Sequence, residues 1–167
     1  MPKKQIYLTG FMGTGKSMIL NCLHEVCGFD KIEMDEQIVQ EQGMSIPEIF
    51  EKKGEEYFRN LETELVKKIS AMDNIVVSCG GGTVMRQCNV DEMKKNGTIV
   101  LLTAEPETVY ERVKGSHNRP LLEKNMNPEY IKELMEARRP KYEAAADFVI
   151  KTDNRTAEIF PCPIVCF

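Results

Sequence analysis

The sequence predicts an α/β fold of three layers, a five-stranded parallel sheet sandwiched between helices. Three observations carry that expectation. Short β-rich runs alternate with segments of helical period along the chain, and strand–helix–strand units in this rhythm cross over to parallel neighbours. The 167 residues match one domain, because domains run at about 150 residues and one of this size buries roughly 70% of its unfolded surface. Hydrophobic residues at 42% and charged residues at 29% are ordinary for a globular chain. That balance excludes disordered and collagen-like chains.

Each element has its own signal. Residues 5–9 (QIYLT) read as a buried strand, and 16–27 as a helix stopped by Gly28. Residues 31–34 form a weak second strand, and 35–42 a short helix closed by Gly43. Ser45-x-x-Glu48 is a capping box that opens the next helix, with Pro47 accommodated in its first turn. Residues 55–72 read as a long amphipathic helix, with Phe58, Leu61, Leu65, Val66 and Ile69 at three- and four-residue spacing. Residues 75–78 (IVVS) are a buried strand that runs into Gly80-Gly81-Gly82. A short helix over 89–96, capped by Gly97, precedes the strand 98–102. Pro106 opens a helix to about Val113, and 114–126 is polar and irregular. Asn127 caps a last long helix with Pro128 at its first position, and 148–151 is the final strand.

Charge and cysteine usage narrow the partners. Lys and Arg number 22 against 26 Asp and Glu, for a net charge of −4. A nonspecific nucleic-acid binder is normally basic, so no nucleic-acid partner is expected. The longest apolar run, near 99–102, is far short of the ~20 residues a bilayer requires, so no membrane partner is expected either. Cys22, Cys27, Cys79, Cys88, Cys162 and Cys166 form no C-x-x-C pair, and His24 and His117 are the only imidazoles. Zinc is therefore not expected. The glycine-rich stretch after residue 9 interrupts any signal-peptide core, which points to the cytoplasm and reduced thiols.

Directly after the first strand stands Gly10-Phe11-Met12-Gly13-Thr14-Gly15-Lys16-Ser17. This is G-x-x-x-x-G-K-[ST] in the strand-to-helix setting that a phosphate-binding loop requires. Its backbone N–H groups and the helix N-terminus gather phosphate oxygens. Lys16 reaches the β- and γ-phosphates, and Ser17 offers a hydroxyl to Mg²⁺. The expected cofactors are thus ATP and Mg²⁺. Gly13, Thr14, Gly15, Lys16, Ser17 and Met18 form the phosphate-binding stretch, Met18 through its backbone alone.

Four further features concern the phosphoryl acceptor: Glu33-Met34-Asp35, Arg59 with Glu62, the glycine triplet, and Arg138-Arg139. Each also has a plain structural reading. Asp35 alone reads as a helix cap, Arg59 and Glu62 as a surface pair, and the two late arginines as helix-terminal charges. In this order behind a phosphate loop they are specific.

The chain resembles the shikimate kinase family. The resemblance rests on G-F-M-G-T-G-K-S, E-x-D-E-x-I, F-R-x-x-E, G-G-G-T, R-P-L-L and R-x-P-x-Y, spread over residues 6–155. It implies the nucleoside monophosphate kinase-like fold and ATP-dependent phosphorylation of the 3-hydroxyl of shikimate, a step of aromatic amino-acid biosynthesis. It implies a single domain over 1–167 acting as a monomer, with a lid at about 114–124 and a substrate-binding segment at about 33–61. By the same resemblance Arg59 and Arg138 bind the shikimate carboxylate and Glu62 holds Arg59. Asp35 accepts from the ring hydroxyls and serves the nucleophile, and Gly81 lies against the ring. Arg119 brings charge from the lid, and Arg155 packs on adenine.

Three departures stand out. Glu33 occupies the place of an aspartate that helps hold Mg²⁺, which implies an outer-sphere role for the longer side chain. Met18 stands where threonine is common. The ending Phe160-Pro161-Cys162-Pro163-Ile164-Val165-Cys166-Phe167 replaces an amphipathic helix, and its prolines predict a non-helical tail packed on the domain or a neighbouring chain. Two other readings remain at this stage. One is another small phosphate-loop kinase, acting on gluconate or a nucleoside monophosphate. The other is a non-catalytic nucleotide- or shikimate-binding sensor.

Overall fold

The apolar runs of the sequence become the strands of one sheet. The computed structural model describes residues 4–114 and 127–153. In chain order these form β1 (Gln5–Thr9), α1 (Lys16–Cys27), β2 (Asp30–Glu33), α2 (Met34–Gln42), α3 (Ile46–Lys53) and α4 (Glu55–Ile69). They continue as β3 (Ile75–Ser78), a 3-10 turn (Thr83–Met85), α5 (Gln87–Lys94), β4 (Gly97–Thr103), α6 (Pro106–Val113), α7 (Pro128–Ala145) and β5 (Phe148–Lys151). The five strands pair in parallel in the order β2-β3-β1-β4-β5. The expected α/β/α architecture is the observed one.

Alternation along the strands divides the core in two. Tyr7, Val77, Ile99 and Leu101 face one side, where Leu65, Val66 and Ile69 of α4, Met93 of α5, Val109 of α6 and Ile131 of α7 cover them. Ile6, Leu8, Val76, Val100 and Leu102 face the other, against Ile19, Leu20 and Leu23 of α1. Each such aliphatic side chain contributes about 1.5–3 kcal/mol when fully buried. β1 lies at the centre, with β3 on one side and β4 on the other. The chain order reverses there, which opens a crevice at the carboxyl ends of these strands.

The helix ends follow the capping signals. Ser45 Oγ accepts from the Glu48 N–H at 3.3 Å, and Asn127 Oδ1 accepts from the Tyr130 N–H at 2.8 Å. Gly28 and Gly43 end α1 and α2 in the left-handed conformation.

Tertiary packing moves several boundaries. β2 ends at Glu33, and α2 already begins at Met34. Met34 is 0% exposed, and drawing it into the core turns the chain into the helix one residue earlier than its propensity indicates. Glu33 thus closes β2, and Asp35 stands in the first turn of α2. α4 stops at Ile69 rather than 72, because the Gln5 amide donates to the carbonyls of Ser70 at 3.0 Å and Met72 at 2.7 Å. α5 spans Gln87–Lys94 rather than 89–96. Gly97 opens β4 instead of capping a helix: a Cβ there would run into the Tyr7 ring, 2.9 Å from its Cδ2, and lie 2.8 Å from the Met93 carbonyl oxygen. α7 carries Pro140 inside it and runs on to Ala145. Apart from Lys114, the expected lid lies outside the described residues, as do Arg119, Arg155 and the tail 160–167.

Candidate active site

The chain leaves β1 at Thr9 and turns through the glycine-rich loop into α1. Gly15 sits at φ 99° immediately before the first residue of α1, a conformation that side chains with a Cβ resist. Gly13 serves a close approach, since a Cβ there would stand 2.7 Å from a Val113 methyl. The Lys16 ammonium donates to the carbonyls of Gly10 at 2.7 Å and Phe11 at 3.0 Å, which holds it over the loop. Ser17 lies exposed in the first turn of α1. Thr14 is 1% exposed and its hydroxyl donates to the Phe11 carbonyl at 2.7 Å. Its side chain therefore shapes the loop from within, and only its backbone is left for phosphate.

The facing wall is built by α2, α4, α7 and the glycine triplet. Asp35 stands in the first turn of α2. Gly80 lies beneath two carboxylates: a Cβ there would be 2.9 Å from Asp35 Oδ1 and 2.8 Å from Glu62 Oε2. Glu62 is 1% exposed; it accepts from Arg59 Nη1 at 2.6 Å and from the Thr83 hydroxyl at 2.6 Å. Burial raises its carboxyl above the ordinary range, and the Arg59 charge with the Thr83 hydrogen bond acts against that shift. Arg59 reaches Glu55 at 3.2 Å on its other side and lies over the Phe58 ring at 5.3 Å. Gly82 is bare because this guanidinium covers it; a Cβ would fall 2.6 Å from Arg59 Cζ.

Arg138 projects from α7 with its guanidinium 5.9 Å from the centre of the Phe11 ring. Its Nη1 would be 3.3 Å from a Cβ at Gly81. The Tyr142 hydroxyl donates to the Gly81 carbonyl and is also hydrogen-bonded to Arg138. Burial raises the Tyr142 phenol above its usual value, against the Arg138 charge. Among the described residues Arg138 has no carboxylate partner within ion-pair distance.

These walls enclose a cleft of about 480 Å³. Gly13, Gly15, Lys16, Ser17, Met18, Glu33, Asp35, Arg59, Gly81 and Arg138 all line it. Lys16 and Arg59 thus open on one space. Ser17 and Glu33 supply hard oxygen donors, the kind Mg²⁺ prefers. Among the described residues no group of three or more His, Cys, Asp or Glu side chains is arranged to hold a metal.

The contacts of four contributors escaped the sequence reading. Arg112 of α6 lines the cleft and donates to the Gly13 carbonyl at 3.1 Å. It looks like any surface arginine of an amphipathic helix. Thr83 and Gly82 act only through Glu62 and Arg59, across a separation of some twenty residues that no local pattern reveals. Tyr142 carried a signal in R-x-P-x-Y, but its partner, a backbone carbonyl, leaves no mark in sequence.

Phosphate-binding backbone on one wall and paired arginines on the other put the protein among phosphate-loop kinases that act on small anionic acceptors. A family model described as shikimate kinase matches residues 12–162. A shikimate kinase of Persephonella marina is 44% identical over 153 residues, covering 92% of each chain. One of Thermodesulfovibrio yellowstonii is 44% identical over 155 residues, covering 93% of this chain and 89% of that protein. The solved shikimate kinase of Acinetobacter baumannii in complex with shikimate superposes with a TM-score of 0.88 at 32% identity, covering 94% of this chain and 87% of that one. The chain belongs to the shikimate kinase family. A gluconokinase of Sinorhizobium meliloti, at 19% identity and a TM-score of 0.59, shares the fold alone.

Proposed function

We propose that the chain transfers the γ-phosphoryl group of ATP to the 3-hydroxyl of shikimate in this cleft, with Asp35, Arg59, Gly81 and Arg138 forming the acceptor site. One observation carries the assignment of residues: Arg138, without a carboxylate partner among the described residues, faces the same space as Arg59 and the phosphate loop. A cation that opens on a cleft with no carboxylate in ion-pair distance among the described residues calls for an anionic ligand. Planar guanidinium groups suit a carboxylate better than a lysine does.

The division of labour follows from position. Arg59 and Arg138 grip the shikimate carboxylate and fix the ring against the bare backbone of Gly81. Asp35 accepts from the ring hydroxyls, orients the nucleophilic oxygen and takes its proton as the bond to phosphorus forms. Lys16 and the N–H groups of 13–18 hold the β- and γ-phosphates in line with that oxygen. Ser17, and Glu33 through water, would hold Mg²⁺, which would supply charge neutralisation at the phosphates. Arg119 adds positive charge over the transferring group and Arg155 packs on adenine; these roles rest on the family resemblance. The enzyme works as a cytoplasmic monomer. No helix among the described residues is long and apolar enough to cross a membrane.

A coupled ADP-release assay with and without shikimate tests this reading. ADP release is expected to require shikimate and to fall by about 10²–10⁴-fold in Asp35→Asn. Equal release without shikimate, or an Asp35→Asn variant as active as the parent, would overturn it.

A further inference from the structure

The outer side of the phosphate loop is held by two side chains that the mechanism above does not use. Thr152 follows β5 and is 0% exposed. Its N–H donates to the Thr103 carbonyl at 2.8 Å, which anchors it to the end of β4. Its hydroxyl lies 2.6 Å from the Thr14 carbonyl and 3.2 Å from that of Thr103. With a single proton to give, it donates to the nearer oxygen. Arg112 closes the assembly. Its Nη2 donates to the Thr152 carbonyl at 3.0 Å, and its Nη1 lies 3.2 Å from the Thr152 hydroxyl and 3.1 Å from the Gly13 carbonyl.

Two successive loop carbonyls, those of Gly13 and Thr14, are thus pulled outward. No peptide bond here is cis, and in a planar trans unit the C=O and the following N–H point in opposite directions. Fixing the Gly13 carbonyl on Arg112 turns the Thr14 N–H inward. Fixing the Thr14 carbonyl on Thr152 turns the Gly15 N–H inward. Both peptides border glycines at positive φ, Gly13 at 77° and Gly15 at 99°, and glycine supplies little conformational preference of its own. The inward orientation therefore needs an external hold.

We infer that Thr152, braced by Arg112, is a positioning residue for the nucleotide phosphates: together the two side chains preset two loop N–H donors, those of Gly15 and Thr14, before any phosphate arrives. Such preorganisation strengthens binding by removing an ordering cost. The inference rests on the kinase reading, but it concerns the nucleotide half of the cleft alone.

Calorimetric titration with MgADP, which needs no acceptor, separates the two. Thr152→Val keeps the shape and removes the hydroxyl, and is expected to bind MgADP about tenfold more weakly. Thr152→Ser is expected to recover affinity to within about threefold, and shikimate affinity in all three proteins to stay within about twofold. If Thr152→Val does not fold by circular dichroism, Arg112→Met replaces it, since this change frees the Gly13 carbonyl at an exposed site. That variant is titrated with magnesium pyrophosphate so that no base contact enters, with the same loss expected. Unchanged phosphate-ligand affinity, an equal loss of shikimate affinity, or no rescue by serine would overturn the assignment. Normal MgADP behaviour in a protein that fails to phosphorylate shikimate would instead count against the acceptor assignment.

Discussion

Glu62→Gln isolates the carboxylate that holds Arg59. The wild-type carboxylate is 1% exposed and accepts two bonds of 2.6 Å, from Arg59 and Thr83. Glutamine keeps the size but replaces a charge-assisted bond, worth about 1.5–3 kcal/mol, with a neutral one of about 0.5–1.5 kcal/mol. Thr83 can turn its hydroxyl to accept from the new amide, so the loss falls on Arg59. Its remaining partner is Glu55 at 3.2 Å, whose side chain is 59% exposed, and a pair of that kind returns only about 0.2–1 kcal/mol. The net loss of about 1.4 kcal/mol corresponds to roughly a tenfold rise in shikimate KM. MgATP KM is expected to stay within about twofold, because Arg59 lies on the acceptor wall. A coupled ADP-release assay at varied shikimate reads this, with Tm as the folding control. The pH dependence has a definite sign. Burial raises the Glu62 pKa, so lowering pH protonates it sooner than an ordinary glutamate and releases Arg59. Shikimate KM in the parent should therefore climb towards acid pH more steeply than in Glu62→Gln. A shikimate KM within twofold of the parent, or an equal rise in MgATP KM, would refute the reasoning.

Three further outcomes follow from the same geometry. Arg138→Lys loses the fork that faces the cleft and should raise shikimate KM about thirtyfold, some 2 kcal/mol, whereas Arg139→Lys should change it little; parity between the two would remove Arg138 from the site. Gly82→Ala puts a methyl 2.6 Å from Arg59 Cζ, and displacing that guanidinium by roughly an ångström should lower kcat/KM for shikimate by up to 10²-fold while MgADP binding holds. Glu33→Gln should raise the Mg²⁺ concentration needed for half-maximal rate and leave shikimate binding nearly intact, while Asp35→Asn should collapse kcat even at saturating Mg²⁺. Identical responses of these two variants to added Mg²⁺ would show their roles wrongly divided.

Much of this was legible before any coordinate. The phosphate loop announces itself because its chemistry lies in consecutive backbone groups, so spacing alone encodes it. The succession of strands and helices along the chain and the helix caps at Ser45 and Asn127 follow from local patterns with local causes. What sequence misplaced was decided over long range. Met34 enters the core and starts α2 one residue early, which ends β2 at Glu33 and leaves Asp35 in the first turn of the helix and in the cleft. Gly97 reads as a cap, but the Tyr7 ring requires it to be bare. The contacts of Thr83, Tyr142, Arg112 and Thr152 with their partners span 21 to 138 positions, and several end on backbone carbonyls that carry no side-chain signature.

The central claim is that the two arginines select a carboxylated acceptor for the phosphate loop to phosphorylate. The direct measurement is kcat/KM for shikimate beside its methyl ester, which keeps every ring hydroxyl and removes the negative charge. The account predicts phosphorylation of shikimate with at least about a thirtyfold preference over the ester, the equivalent of one lost charge-assisted pair. Equal kcat/KM for the two, or turnover of neither, would contradict it.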